Sequence, residues 1–217
     1  ARVIRGLGAR EDVRVLVLGS SGDRAFCAGA SFDELVAISD DAEGLQFFMG
    51  FADVINAMRS IPKLVIGRVQ GKAVGGGVGV ASATDFCLAS RHASIKLSEL
   101  AVGIGPFVVG PAVERKVGVS AMSQLAIDAT EWRSAEWACD RGLYASVHED
   151  SVSMDEAVDL LAGRLAASNP EAMAAMKQTF WRGTEDWDAL LAERAAISGR
   201  LVLSNFTRKA IARFKGG

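Results

Sequence analysis

The sequence predicts an α/β core over its first half and a helical section after it. Three observations carry that expectation. Short apolar runs end in glycine turns, helical periodicity fills the stretches between them, and strand signals nearly vanish after Pro106.

Ala1–Gly8 reads as the tail of a helix rather than a natural start, so N-terminal sequence is expected to be missing. Val13–Gly19 is a continuous apolar run too short for a helix and reads as a strand buried on both faces. Phe26–Ala30 makes a small-residue loop, and Ser31 with Glu34 forms a capping box that starts a helix at Phe32. From Ala42 to Ile61 the residues Leu45, Phe48, Phe51, Ile55 and Met58 recur at helical spacing, and the helix stops before Pro62. Leu64–Val69 reads as the next strand, running into a glycine turn from Gly71 to Gly77. A small-residue helix then leads to short strands at 85–89 and 94–97. Later helices are capped by Ser134, by Ser153 with Glu156, and by Asn169 ahead of Pro170, and the last spans 204–215. The division is a core over 1–130 and a helical region over 131–217.

Composition excludes several functions. The 217 residues carry 24 basic and 26 acidic side chains, a net charge of −2 with no basic block, so nucleic acid is not the expected partner. Arg68, Lys72 and Asp85 interrupt the richest apolar region, so no membrane-spanning segment is expected. Cys27, Cys87 and Cys139 are odd in number and widely spaced, reading as reduced thiols of a cytoplasmic protein. His92 and His148 stand apart from any ligand spacing, so no metal site is expected. Gly118-Val119-Ser120 lacks the closing glycine of a nucleophile elbow and reads as a helix start.

Two glycine-rich turns, each after a strand, put bare backbone where ligands of α/β sheets bind. Two N–H groups from different turns can converge on one oxygen, although glycine runs also serve tight turns alone. The stretch Gly75–Ala81 does not meet the spacing of a dinucleotide fingerprint. Glu99, after a strand and before Gly103-Ile104-Gly105-Pro106, faces apolar neighbours that would raise its pKa into the range of a general acid or base. Read by itself it also fits a surface or helix-capping glutamate.

Residues 25–31 (AFCAGAS), 70–77 (QGKAVGGG), Asp85, Ser98-Glu99 and Gly103, in that order and spacing, resemble the motif series of the crotonase family, from about Val13 to the C-terminus. The resemblance implies a crotonase-like spiral of ββα units with a helical C-terminal trimerisation region, assembled as a homotrimer or hexamer, and an enoyl-CoA hydratase/isomerase. It implies that the N–H groups of Ala30 and Gly76 hold the thioester oxygen, that the Ala28 backbone meets the adenine, and that Phe206 and Lys209 meet the adenine and 3′-phosphate of CoA on a neighbouring subunit. No cofactor is implied beyond the CoA carried by the substrate. The chain departs from the family at Gln70, where asparagine is usual, at Ser31, where aspartate is usual, and at Gly79, where many hydratases place a second glutamate. With Glu99 as the single acid/base the site resembles the family's double-bond isomerases, and Gly79→Glu would add hydration if the carboxylate fits. A branched, methylglutaconyl-type hydratase, with Phe107, Val108 and Val109 walling the acyl pocket, and a catalytically silent acyl-CoA-binding member are the other readings.

Overall fold

The computed structural model describes residues 1–216. The chain opens with α1 (Arg2–Gly8), β1 (Val15–Leu18) and β2 (Ala25–Cys27), followed by α2 (Phe32–Ala37), α3 (Asp41–Ser60), β3 (Leu64–Val69) and β4 (Lys72–Val74). Next come α4 (Gly76–Ser82), β5 (Phe86–Ser90), β6 (Ser94–Lys96), a 3₁₀ turn (Leu100–Val102) and α5 (Gly110–Ile127). The remainder is β7 (Arg133–Ser134), α6 (Ala135–Asp140), β8 (Ser146–His148), α7 (Ser151–Ala166), α8 (Pro170–Phe180), α9 (Trp187–Val202) and α10 (Asn205–Gly216).

Successive strand pairs divide between two sheets. One has the order β1-β3-β5-β8 and is parallel throughout; the other has the order β2-β4-β6-β7, with only β7 antiparallel. Each ββ unit therefore gives one strand to each sheet and then crosses over, so the chain advances as a spiral. The turns that follow β2 and β4 are thereby stacked at one end of the second sheet.

Burial explains which strands the sequence reveals. β3 is buried almost throughout and shows as a continuous apolar run. β1 lies at a sheet edge, and Val17 is 47% exposed, so burial on both faces holds for the inner strand and not for this one. β2 and β4 occupy stretches whose sequence reads as glycine-flanked loop, because three residues are too few to establish a period. β7 and β8, two and three residues long, follow Pro106 for the same reason.

The helix starts obey their caps. Ser31, Ser134 and Asn169 each accept a hydrogen bond from the first turn of α2, α6 and α8. At α7 the cap is Asp150 and not Ser153: Asp150 Oδ1 accepts from the Ser153 N–H at 2.8 Å, while Ser153 Oγ accepts from the Asp150 N–H at 3.2 Å. Ser153 is thus the third residue of a capping box that begins three positions earlier. In α5, Gly118 leaves the helix with φ 75° and ψ 162°, and a new helical stretch starts after it.

α9 lies along α3 in close contact, since a Cβ on Gly44 would come within 2.7 Å of the Gly199 Cα. This brings Phe48 and Phe51 of α3 and Ser198 of α9 to one cavity. α7 covers Ile66 and Leu88 of the first sheet and is fixed there by a bidentate pair between Arg68 and Asp155, at 2.5 and 2.9 Å. Among the described residues no helix is long and apolar enough to cross a membrane.

Candidate active site

Parallel pairing of β2 with β4 sets the two glycine turns against each other. Gly29 holds φ 83°, and a Cβ there would come within 2.9 Å of the Val74 carbonyl oxygen and 3.9 Å of the Gly76 nitrogen, so only glycine allows this approach. Gly76 is the first residue of α4, so its N–H has no intrahelical acceptor. Among the described residues the Ala30 N–H takes part in no backbone hydrogen bond. Ala28, Gly29, Ala30, Gly75 and Gly76 all line one cavity of about 270 Å³.

Gln70 fixes the loop that leads into β2. Its buried side-chain amide donates to Ser20 Oγ at 2.8 Å and to the Gly22 and Ala25 carbonyls at 3.0 Å, and Ser90 Oγ donates to its backbone carbonyl at 2.7 Å. A residue read from sequence only as a departure from the family thus ties the β1–β2 loop to β3.

Glu99 enters the cavity between β6 and the 3₁₀ turn. A Cβ on Gly75 would come within 2.9 Å of Glu99 Oε1, so the carboxyl group lies directly over the second turn. The other oxygen, Oε2, is sealed from solvent without a hydrogen-bond partner. Burial pushes the Glu99 carboxyl up to about 7, opposed only by its own backbone N–H. Among the described residues lining the cavity it is the one ionisable side chain, facing Leu35, Phe48, Phe51, Val102, Ile104 and Phe107.

The position at which many hydratases of the resembled family carry a second glutamate is closed. A Cβ on Gly79 would come within 2.5 Å of both Cβ and Cγ1 of Val109, itself buried and on the cavity wall. The space that a Gly79→Glu side chain would need is therefore filled. The sequence alone does not show this, because Val109 is 30 positions away.

Phe206 and Lys209 share the exposed side of α10, which packs on α2 and the 3₁₀ turn of its own chain. Phe206 rests on Gly103, where a Cβ would come within 2.4 Å of its Cδ1, one residue from the cavity-lining Val102 and Ile104. Phe206 thus stands beside its own chain's cavity. Asp85 lies away from the cavity, in a buried network: its Oδ2 accepts from Lys177 Nζ and the Val65 N–H, and its Oδ1 from Trp181 Nε1, all at 2.8 Å. Its place in the motif series is structural, and its partners Lys177 and Trp181 carry no sequence signal of the connection. No three His, Cys, Asp or Glu side chains among the described residues group as a metal site.

The model of the enoyl-CoA hydratase/isomerase family matches residues 5–214. The chain belongs to that family. Among its crotonase relatives is a short-chain-enoyl-CoA hydratase of Clostridium acetobutylicum, 29% identical over 94% of this chain and 77% of the relative. Another is a trans-2-decenoyl-[acyl-carrier-protein] isomerase of Streptococcus mutans, 26% identical over 80% of this chain and 66% of that protein. The chain thus spans about two thirds to three quarters of their length. The fold is that of the enoyl-CoA hydratase from Bacillus halodurans, with a TM-score of 0.89 over 98% of this chain and 86% of that one at 20% identity.

Proposed function

We propose that the chain shifts the double bond of an enoyl-CoA thioester, with the Ala30 and Gly76 N–H groups as an oxyanion hole and Glu99 as the single acid/base. The observation that carries this reading is the Glu99 carboxyl over the second glycine turn, its Oε2 buried and unpartnered, in a cavity with no other ionisable side chain among the described residues. Glu99 takes a proton from C2 of a 3-enoyl-CoA, the C–H electrons become the C1=C2 π bond, and the carbonyl π pair passes to the oxygen, giving a dienolate whose negative oxygen rests on the two N–H groups. The same carboxyl returns the proton to C4, giving the conjugated 2-enoyl-CoA. Each N–H of such a site contributes ~10²–10³ in rate. The pKa near 7 keeps the group balanced between taking and giving the proton at neutral pH.

Hydration also requires a water to be oriented and activated, and Gly79, with Val109 packed against it, offers no side chain for that. Turnover of 3-enoyl-CoA esters is therefore expected to exceed hydration of 2-enoyl-CoA esters across a panel of chain lengths; the reverse order overturns the reading. Gly79→Glu alone is expected to overpack the core by ~1–3 kcal/mol with no gain in hydration. Paired with Val109→Gly it should recover stability and raise hydration, measured by denaturant unfolding and by loss of the enoyl absorbance.

The CoA moiety is carried by the substrate, and no further cofactor is invoked. Its adenine meets the Ala28 backbone, and Phe206 and Lys209 meet the adenine and 3′-phosphate of the CoA bound to a neighbouring subunit. Lys209→Ala is then expected to raise KM roughly three- to tenfold, the size of a solvent-screened charge contact, with kcat retained and the effect fading at high salt. A KM that does not move removes Lys209 from the site. Assembly as a homotrimer or hexamer belongs to the same proposal, and sedimentation as a monomer contradicts it.

A further inference from the structure

Among the described residues, three polar side chains line the catalytic cavity: Ser98, Glu99 and Ser198. Glu99 is the proposed acid/base and Ser98 precedes it, whereas Ser198 comes from α9 and has no place in the proposed proton transfer. It adjoins Gly199, the residue packed against Gly44 of α3, and Phe48 and Phe51, about one and two turns further along α3, line the same cavity. Ser198 is only 1% exposed, yet its hydroxyl makes no hydrogen bond among the described residues. Thr179 in α8 shows the usual arrangement for a helical hydroxyl, donating to the carbonyl four residues back at 3.0 Å. The Ser198 oxygen is not among the polar atoms that are both sealed and unpartnered, so the trace of surface this residue keeps includes the oxygen, at the cavity it lines. Alanine would suit the position better on local grounds, since it has the higher helix propensity and buries no polar atom. A buried hydroxyl without a partner costs stability, and a ligand oxygen within reach restores it.

We propose that Ser198 is a specificity-determining residue whose hydroxyl bonds a neutral oxygen on the acyl chain, so that the site favours acyl groups bearing a hydroxyl or keto group over plain alkyl ones. The inference rests on the acyl-CoA reading above. Because C2 and C4 exchange the proton with Glu99, the oxygen that Ser198 meets lies past C4. As both donor and acceptor, the serine hydroxyl takes a keto oxygen or a hydroxyl equally well. A carboxylate is disfavoured, because no cationic side chain among the described residues lines the cavity to offset its charge. An alkyl chain would cover the serine without giving it a partner.

Titration calorimetry with saturated esters separates binding from turnover. Hexanoyl- and octanoyl-CoA would be compared with their hydroxy and keto derivatives, substituted at each carbon from C5 outward, on the unmodified protein and on Ser198→Ala. At one or more positions the oxygenated ester is expected to bind about fivefold or more tightly than its alkyl counterpart, the size of a buried hydrogen bond. Ser198→Ala should bring the two to the same Kd at that position, with the alkyl ester bound at least as tightly as before. A purely structural role for the serine would shift both esters alike and leave their ratio unchanged. Equal affinities at every position on the unmodified protein, or a preference that survives Ser198→Ala, overturn the assignment of Ser198 alone. Failure of every ester to bind, the alkyl ones included, overturns the acyl-CoA reading together with it.

Discussion

Glu99→Gln is expected to lower kcat for 3-enoyl-CoA isomerisation at least ~10²-fold while leaving substrate affinity nearly unchanged. The carboxamide keeps the volume and planarity of the carboxyl group, so the cavity and the two N–H donors stay in place, yet it cannot take a proton from C2. No other ionisable side chain lines the cavity among the described residues to substitute for it. The same group sets the pH dependence. With its pKa held near 7 by burial, the basic form is the minor species below neutrality, so kcat/KM should rise with pH and level off above about 7. The Gln variant should be flat over that range.

Stability should move the other way. A carboxyl whose folded pKa lies above its ordinary 4.5 stabilises the fold fully below 4.5 and loses that contribution as pH rises through 7. The loss is up to roughly 3 kcal/mol, with some discount for the residue's residual solvent contact. Urea unfolding at pH 5 and pH 8 reads the difference, which Glu99→Gln should abolish. Hydratase or isomerase activity that survives Glu99→Gln at full strength would sink the mechanism.

The parts of the fold legible in the sequence are those whose physics is local. Ser31, Ser134 and Asn169 act within three residues of themselves, and β3 announces its burial by a run of apolar residues. The Asp150 cap was obscured because Ser153 is equally apt, and only the reciprocal bonds at 2.8 and 3.2 Å show which of the two precedes the helix. β2 and β4 are strands because they pair with each other, which no window of three residues reveals. At the site, the glycine turns and Glu99 lie in recognisable order along the chain, so their meeting follows from the family resemblance. Val109 against Gly79, Phe51 over Gly76 and Ser198 on the far wall come from other elements, and their roles depend on distances that sequence spacing does not encode.

The other large effect is expected at Lys177, far from the chemistry. Lys177→Met should destabilise the fold by ~3–5 kcal/mol, the cost of leaving one member of a buried ion pair uncompensated. The ammonium group is almost fully enclosed; it donates to Asp85 Oδ2 at 2.8 Å and to the Lys63 carbonyl at 2.7 Å. Burial pushes its pKa down, and Asp85 opposes that shift by charge and by hydrogen bond. Asp85 meanwhile accepts from the Val65 N–H in β3 and from Trp181 Nε1 after α8, and the Trp181 ring meets Trp187 edge-on at 5.7 Å. One ammonium group therefore joins the start of β3, the start of β5 and the end of α8. Methionine matches the length of the lysine stem, so packing survives and the loss comes from the carboxylate of Asp85, left with two neutral donors in a dry site. Adding Asp85→Asn removes that stranded charge, so the double variant should cost less than the sum of the single ones, a coupling a double-mutant cycle reads directly. Because β3 leads into the turn that carries Gly76, the single variant should also lose activity at temperatures where it is still mostly folded. A change below 1 kcal/mol for Lys177→Met in urea unfolding would mean that water or side-chain rearrangement satisfies Asp85, and that this network does not hold α8 to the sheet.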